Sequence, residues 1–276
     1  MTRLDKEDVL SGLFGSWEDI DGLLLTLSDD QWQATTPLPG WTVHDVVSHI
    51  IGTESFLQGI PAPKADCDVS VLPHVHNEVG VINECWVRHL RAESPSAMLD
   101  RFRDITGKRR EVLTEMSEND WNAETATPAG PDTYGRFMRM RTFDCWMHEQ
   151  DIREAVAVWA SDDVLAGPPA SQTLEEIAAG LGYIVGKLGG APAGSRIAFE
   201  LTGPLQRTLR VAVNGRGLVV DDFGGQSPTA TIQVEGVLFT RLVGGRTTAE
   251  ENANAIELSG DTEVAQRIAE HLKFVM

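Results

Sequence analysis

Three residues of this 276-residue chain have the types and spacing to hold a divalent cation. Asp144 and His148 lie in Asp144-Cys-Trp-Met-His-Glu-Gln-Asp-Ile-Arg153, where an i, i+4 spacing stacks them on one helical face. Phe137, Met140, Ile152 and Ala155 share or border that face, and Asp151 follows on the same side. The stripe is mostly apolar and core-directed, and an uncompensated carboxylate set into it is costly. A metal ion or a cationic partner removes that cost. His49 is the matching case, with Val46, Ile50, Thr53 and Phe56 around it at helical spacing. Two imidazoles and one carboxylate, with coordination positions left open, form a catalytic divalent site. Zn²⁺ fits that set best, and Fe²⁺, Ni²⁺, Co²⁺ or Mn²⁺ can use the same ligands. Each residue also has an ordinary structural explanation. A histidine on an apolar face is commonly a hydrogen-bonded core residue, and an Asp/His pair at this spacing commonly bonds only to itself. Spacing alone leaves both readings open.

Helices must position these groups. The pattern predicts an amphipathic helix from Asp5 to Leu27, with Leu10, Leu13, Phe14, Trp17 and Ile20 on its apolar side. A second starts after Thr42, a good N-cap with Asp45 placed to complete an acidic capping box, and runs to about Gly59 before Pro61 and Pro63. Further helices are expected from Glu78 to Leu90, from Ser94-Pro95 to about Met116, and from Pro131 to Trp159. With Glu78 to Leu90 counted as part of a long crossover, this makes an all-α four-helix up-down bundle. Ser161 to Ala170, with Gly167, Pro168 and Pro169, breaks the texture and places a domain boundary near residue 165, giving domains 1–165 and 166–276.

The second segment reads as a smaller α+β domain with an antiparallel sheet. A helix from Gln172 to Leu188 precedes strands at Ile197–Leu201, Thr208–Val213, Gly217–Val220 and Ala230–Val234. Asn214-Gly215 is a strong hairpin signal between two of them. A short helix over Val237–Val243, a strand at Ala255–Leu258 and a closing helix over Thr262–Leu272 complete it.

Bulk properties narrow the function. A net charge of −18 and a pI near 4.7 set the chain against phosphate backbones and anionic membranes. No targeting or membrane-length apolar segment is apparent, so the expected compartment is the cytoplasm. Cys67, Cys85 and Cys145 are too scattered for a zinc ribbon or a redox pair and read as buried free thiols. His44 reads as exposed, His271 as structural, and the His74-Val-His76 pair as a loop feature that could chelate a metal, though nothing nearby completes a site, or line the bundle mouth. Arg139 and Arg141 are placed to pair with acidic groups near Asp144. Monomer or homodimer is the ordinary expectation.

The segment Leu38-Pro-Gly-Trp-Thr-Val-His-Asp-Val-Val-Ser-His49 resembles the W-x-x-x-D-x-x-x-H motif of the mycothiol-dependent maleylpyruvate isomerase family, one of the DinB/YfiT-like metal-binding bundles. Asp144 to Asp151 resembles that family's second motif, E-x-x-x-H-x-x-D, and the last hundred or so residues resemble its sterol-carrier-like C-terminal domain. The resemblance implies that His49, Asp144 and His148 hold the metal, with Asp in place of the family's usual Glu at 144. It implies that Asp151 orients a ligand histidine or an arginine. It further implies a low-molecular-weight thiol, mycothiol in actinobacteria, that binds the metal as thiolate and adds to a small electrophile. The reaction is then an isomerisation of the maleylpyruvate type or an S-transfer. An arginine from the C-terminal domain is expected to fork onto a substrate carboxylate, with Arg246 in Leu242-Val-Gly-Gly-Arg-Thr-Thr248 the best local match and Arg241 and Arg216 behind it.

Two other functions compete. A metal-dependent hydrolase, such as an amidase of thiol conjugates, would activate water with Asp151 or Glu149 as base. Glu149 follows His148 directly and is rotated roughly 100° from it on a helix, which weakens that reading. A small-molecule binding or sensor protein would keep a structural metal, or none, and an apolar pocket in the second domain.

Overall fold

The computed structural model describes residues 1–65 and 67–273. Its contacts divide the chain into two compact units, 1–160 and 161–276. The long helices of the first are α1 (Lys6–Leu24), α2 (Val43–Leu57), α3 (Glu78–Leu90), α4 (Pro95–Glu115) and α5 (Tyr134–Val156). Helices α1, α2, α4 and α5 form the bundle, and α3 lies against α2. Their shared core holds Leu13, Trp17, Ile20, Val46, Ile50, Phe102, Leu113 and Cys145, all buried. Side chains of this kind contribute roughly 1.5–3 kcal/mol each when fully buried, which fixes the helices that carry the polar groups.

Local chemistry sets the start of the helices that carry His49, Asp144 and His148. Thr42 and Asp45 form the expected capping box at α2. Arg91 then grips Asp45 through Nε at 2.9 Å and Nη2 at 3.1 Å. Gly52, one turn past His49, lets α3 come close. A Cβ there would meet Trp86 at 2.5 Å, so only glycine accommodates the indole. The α5 helix departs from expectation at both ends. Pro131 does not open it but lies in a short hairpin, β1 (Glu124–Thr127) paired antiparallel with β2 (Gly130–Thr133). Thr133 is the N-cap instead, its side chain accepting from the Arg136 amide, and the helix ends at Ala157 in a left-handed turn (φ 54°).

After a single helical turn over Asp162–Leu165, the second unit continues with α6 (Pro168–Tyr183), which runs into one π-helical turn over Ile184–Leu188. Five strands follow: β3 (Arg196–Thr202), β4 (Arg207–Asn214), β5 (Arg216–Val219), β6 (Ala230–Glu235) and β7 (Ile256–Gly260). They form one sheet in the order β5-β4-β3-β6-β7. Asn214-Gly215 makes the expected hairpin, with Asn214 opposite Arg216 and Gly215 at φ 73°. The sheet is mixed rather than antiparallel throughout. Strands β3 and β6 run parallel, Ile197 opposite Ala230 and Leu201 opposite Val234. Helices α7 (Gly236–Val243) and α8 (Thr262–Glu270) pack against β6. Among the described residues, no helix is long and apolar enough to cross a membrane.

Candidate metal centre

Helix α2 delivers His49 and helix α5 delivers Asp144 and His148 to one spot in the first unit. One ligand atom from each lies within 4.8 Å of the others. Among the described residues no other trio of His, Cys, Asp or Glu converges in this way. His49 Nε2 is 3.2 Å from Asp144 Oδ2, and His148 Nε2 is 3.5 Å from Asp144 Oδ1. Metal bonds of about 2.0–2.2 Å put tetrahedral ligand atoms roughly 3.3–3.5 Å apart, so the two separations suit a shared ion. The imidazoles meet edge to face with centroids 4.9 Å apart. Both histidines are buried, whereas the Asp144 side chain keeps 32% of its surface exposed and forms the open side of the site.

The remaining polar atoms support this arrangement. His148 donates from Nδ1 to Asp151 Oδ2 at 3.1 Å, which turns Nε2 toward Asp144. Asp151 is fully buried and therefore not available to a bulk-solvent reaction. His49 Nδ1 is buried with no protein hydrogen-bond partner. Burial pushes the His49 imidazole below its ordinary value, against the opposing pull of Asp144. Burial acts the same way on His148, but the Asp144 charge and the bonds to Asp144 and Asp151 outweigh it and hold that imidazole above its ordinary value. Burial would raise the Asp144 carboxyl; the charges of Arg141, His148 and His49 outweigh it and hold the group well below the usual carboxylate range. A neutral His49 and an ionised Asp144 are the forms a metal needs.

Three residues that frame the site carry no signal from spacing alone. Trp41 lies over both ligand rings, its centroid 5.4 Å from that of His49 and 6.4 Å from that of His148. Its Nε1 donates to Glu84 Oε2 at 3.1 Å, and the same oxygen meets His74 Nε2 at 3.2 Å. Arg88 Nε lies 3.5 Å from the other Glu84 oxygen. Glu54 sits behind Asp144, joined to it through Arg141. A carboxylate inside the apolar runs around Ile50 and Trp86 was the available clue for Glu54 and Glu84.

Other sequence expectations fall elsewhere. His44 is buried, not exposed, because its Nε2 reaches the Glu93 carbonyl at 3.1 Å. Phe56 is exposed rather than turned toward His49. Of the free cysteines only Cys145 is fully buried; Cys67 is exposed and Cys85 intermediate. Burial pushes the Cys145 thiol up to about 12, so it is no nucleophile at neutral pH. Glu149 is sealed in the core and paired with Arg153 at 2.7 Å, which removes it as a hydrolytic base at this site. Arg246 follows α7 in the second unit, half-buried, with Nη1 donating to the Gly244 carbonyl at 2.7 Å. Arg241 is buried in that helix and Arg216 is exposed on β5.

Comparison with known proteins agrees with this architecture. Residues 13–153 match the family model described as the mycothiol maleylpyruvate isomerase N-terminal domain. Residues 171–267 match the model described as the MDMPI C-terminal domain. Two uncharacterized proteins of Mycobacterium tuberculosis, from strains CDC 1551 and H37Rv, are each 25% identical over 68% of this chain and 70% of their own length. Two crystal structures share the fold, those of the mycothiol-dependent maleylpyruvate isomerase (TM-score 0.58, 18% identity) and of a histidine-to-alanine mutant (TM-score 0.57, 16% identity). Each covers 94% of this chain and 96% of its own. With both of its halves matched in order, the chain belongs to the mycothiol maleylpyruvate isomerase family.

Proposed function

We propose that this protein is a metal-dependent enzyme that uses a low-molecular-weight thiol, mycothiol first among them, on a small electrophile. The observation that carries this reading is the convergence of His49, Asp144 and His148 with Asp151 fixed behind His148. Family membership supports the thiol and the isomerase type of reaction. A bound divalent ion, best Zn²⁺, would supply Lewis acidity that lowers the pKa of a thiol and keeps it nucleophilic at neutral pH.

The chain's own residues do the rest. His49 and His148, both buried, and the part-exposed Asp144 are the residues that would hold the ion. Asp151 keeps His148 in the tautomer that offers Nε2. Trp41 covers both imidazoles and excludes water from that flank. Cys145, next to Asp144 in the chain, is held protonated in the core and does not compete as a nucleophile. The thiolate adds to one carbon of a cis double bond, whose electron pair moves onto the conjugated carbonyl. Rotation about the resulting single bond and expulsion of the same thiolate give the trans isomer. If the adduct takes up a proton instead, the product is a thioether and the reaction an S-transfer. In either case Arg246 is our candidate for the substrate carboxylate, which its planar fork suits.

Metal analysis and a Co²⁺-substituted visible spectrum test this reading. About one equivalent of metal is expected, with a spectral change when mycothiol is added and turnover of maleylpyruvate only in its presence. A spectrum blind to the thiol would remove the thiol from the site.

A further inference from the structure

Asp144 does not meet the histidines unaided. Its Oδ2 accepts from Arg141 Nη1 at 2.5 Å. Arg141 Nε in turn donates to Glu54 Oε1 at 2.9 Å. Arg109 Nε donates to the other Glu54 oxygen at 3.1 Å, and its Nη2 donates to the Tyr134 hydroxyl at 2.9 Å. Glu54 and Arg109 are entirely buried, and Arg141 is only 4% exposed. The chain of contacts thus runs Tyr134, Arg109, Glu54, Arg141, Asp144 and ties together α2, α4 and α5.

Glu54 and Asp144 together balance Arg109 and Arg141, and the directions of the bonds add a constraint that charge balance does not require. Asp144 is part-exposed and has less need of a buried counter-ion than a sealed carboxylate. Every Arg141 nitrogen is engaged, with Nη2 directed at Cys145 Sγ at 3.6 Å, so the guanidinium plane is fixed. A fixed guanidinium fixes the carboxylate bonded to it.

We propose that Arg141, anchored by Glu54, is a positioning residue that swings the short Asp144 side chain between His49 and His148. It does for this aspartate what an extra methylene does for a glutamate at the same place. Arg141 holds Oδ2, and Oδ1, which faces His148, is the oxygen without an arginine bond. The inference rests on the metal-centre reading above and adds to it a reason why Asp serves at position 144. It also predicts a sign. A cation beside a metal site repels the metal, so if Arg141 acted only through its charge, removing it would tighten binding. If it positions Asp144, removing it weakens binding.

Titration of the metal-free protein with Co²⁺, followed by visible absorption, separates the two. Arg141→Met and Glu54→Gln are expected to weaken Co²⁺ binding about tenfold or more, the usual cost of losing a group that orients a ligand. Adding Asp144→Glu to Arg141→Met is expected to recover most of the loss, a rescue that a merely structural role would not produce. Should Arg141→Met fail to fold, Arg141→Lys keeps a cation against Glu54 but loses the fork, and weaker binding is expected there too. Unchanged or tighter binding in the folded Arg141 variant, or no rescue by Asp144→Glu, overturns the proposal. If the unaltered protein takes up no Co²⁺, the metal-centre reading itself fails, and that outcome is visible before any variant is made.

Discussion

Two polar clusters sit side by side on helix α5 and differ in almost every respect that matters. His148 and Asp151 bond to each other at i, i+3, and Glu149 and Arg153 pair at i, i+4. Both are buried. The Glu149 carboxyl is pushed up to about 7 by burial, against the pull of Arg153, and one of its oxygens has no protein partner. His148 is also displaced, held above its ordinary value, so titration does not separate the two clusters. Yet Glu149 is sealed, and although Asp19 of α1 acts on it, no trio of donor atoms among the described residues converges there. His148 instead meets His49 from α2 and opens to solvent through Asp144. Convergence of donor atoms with a route to solvent, rather than a displaced pKa, distinguishes a site from a buried ion pair here.

The comparison can be broken most severely at the ligands. His49→Ala and His148→Ala should each abolish stoichiometric metal, while Glu149→Gln should leave it near one equivalent; elemental analysis of the three purified variants decides. Retention of metal in both histidine variants would sink the site.

Glu149 should matter for stability instead. Its folded value lies above the 4.5 of an ordinary glutamate, so between pH 4.5 and about 7 the folded chain holds a proton the unfolded chain lacks. Its contribution is therefore full below that window and lost as pH rises through it. The displacement corresponds to about 3 kcal/mol. Urea unfolding of the metal-free protein across this window should show the slope, and Glu149→Gln should flatten it. An identical slope in the variant would show that another group titrates.

Asp151→Asn tests the support behind His148. The amide can present its nitrogen to Nδ1 and favour the wrong tautomer, so metal affinity should fall about 10–100-fold, as for other groups behind a ligand histidine. An unchanged Co²⁺ affinity would make Asp151 a structural partner only. The smallest effect belongs to Trp41→Phe, which keeps a ring near both imidazoles but loses the bond to Glu84. A stability loss of about 1 kcal/mol is expected in thermal melts, with metal stoichiometry intact.

What the sequence discloses follows from the range of each interaction. Thr42 and Asp45 are three residues apart, and their capping box is readable because it is local. The same holds for Asp144 with His148 and for the Asn214-Gly215 turn. Pro131 misleads because proline suits the first turn of a helix as well as the short hairpin it occupies. Strand direction is also silent: alternation predicts β3 and β6 but not that they run parallel. Least legible are the partners of Glu54, which lie 55 and 87 residues away in Arg109 and Arg141. His44 escapes for the same reason, its partner carbonyl being that of Glu93. The ligand trio could be read because each motif is local, although only folding shows that the two motifs meet.

The central claim is that one ion binds between α2 and α5. A crystal structure of the protein as purified, with anomalous diffraction recorded at the metal edge, tests it most directly. The account predicts a single strong peak about 2.0–2.2 Å from His49 Nε2, His148 Nε2 and an Asp144 oxygen. A metal-replete crystal whose peak lies away from these three residues would contradict it.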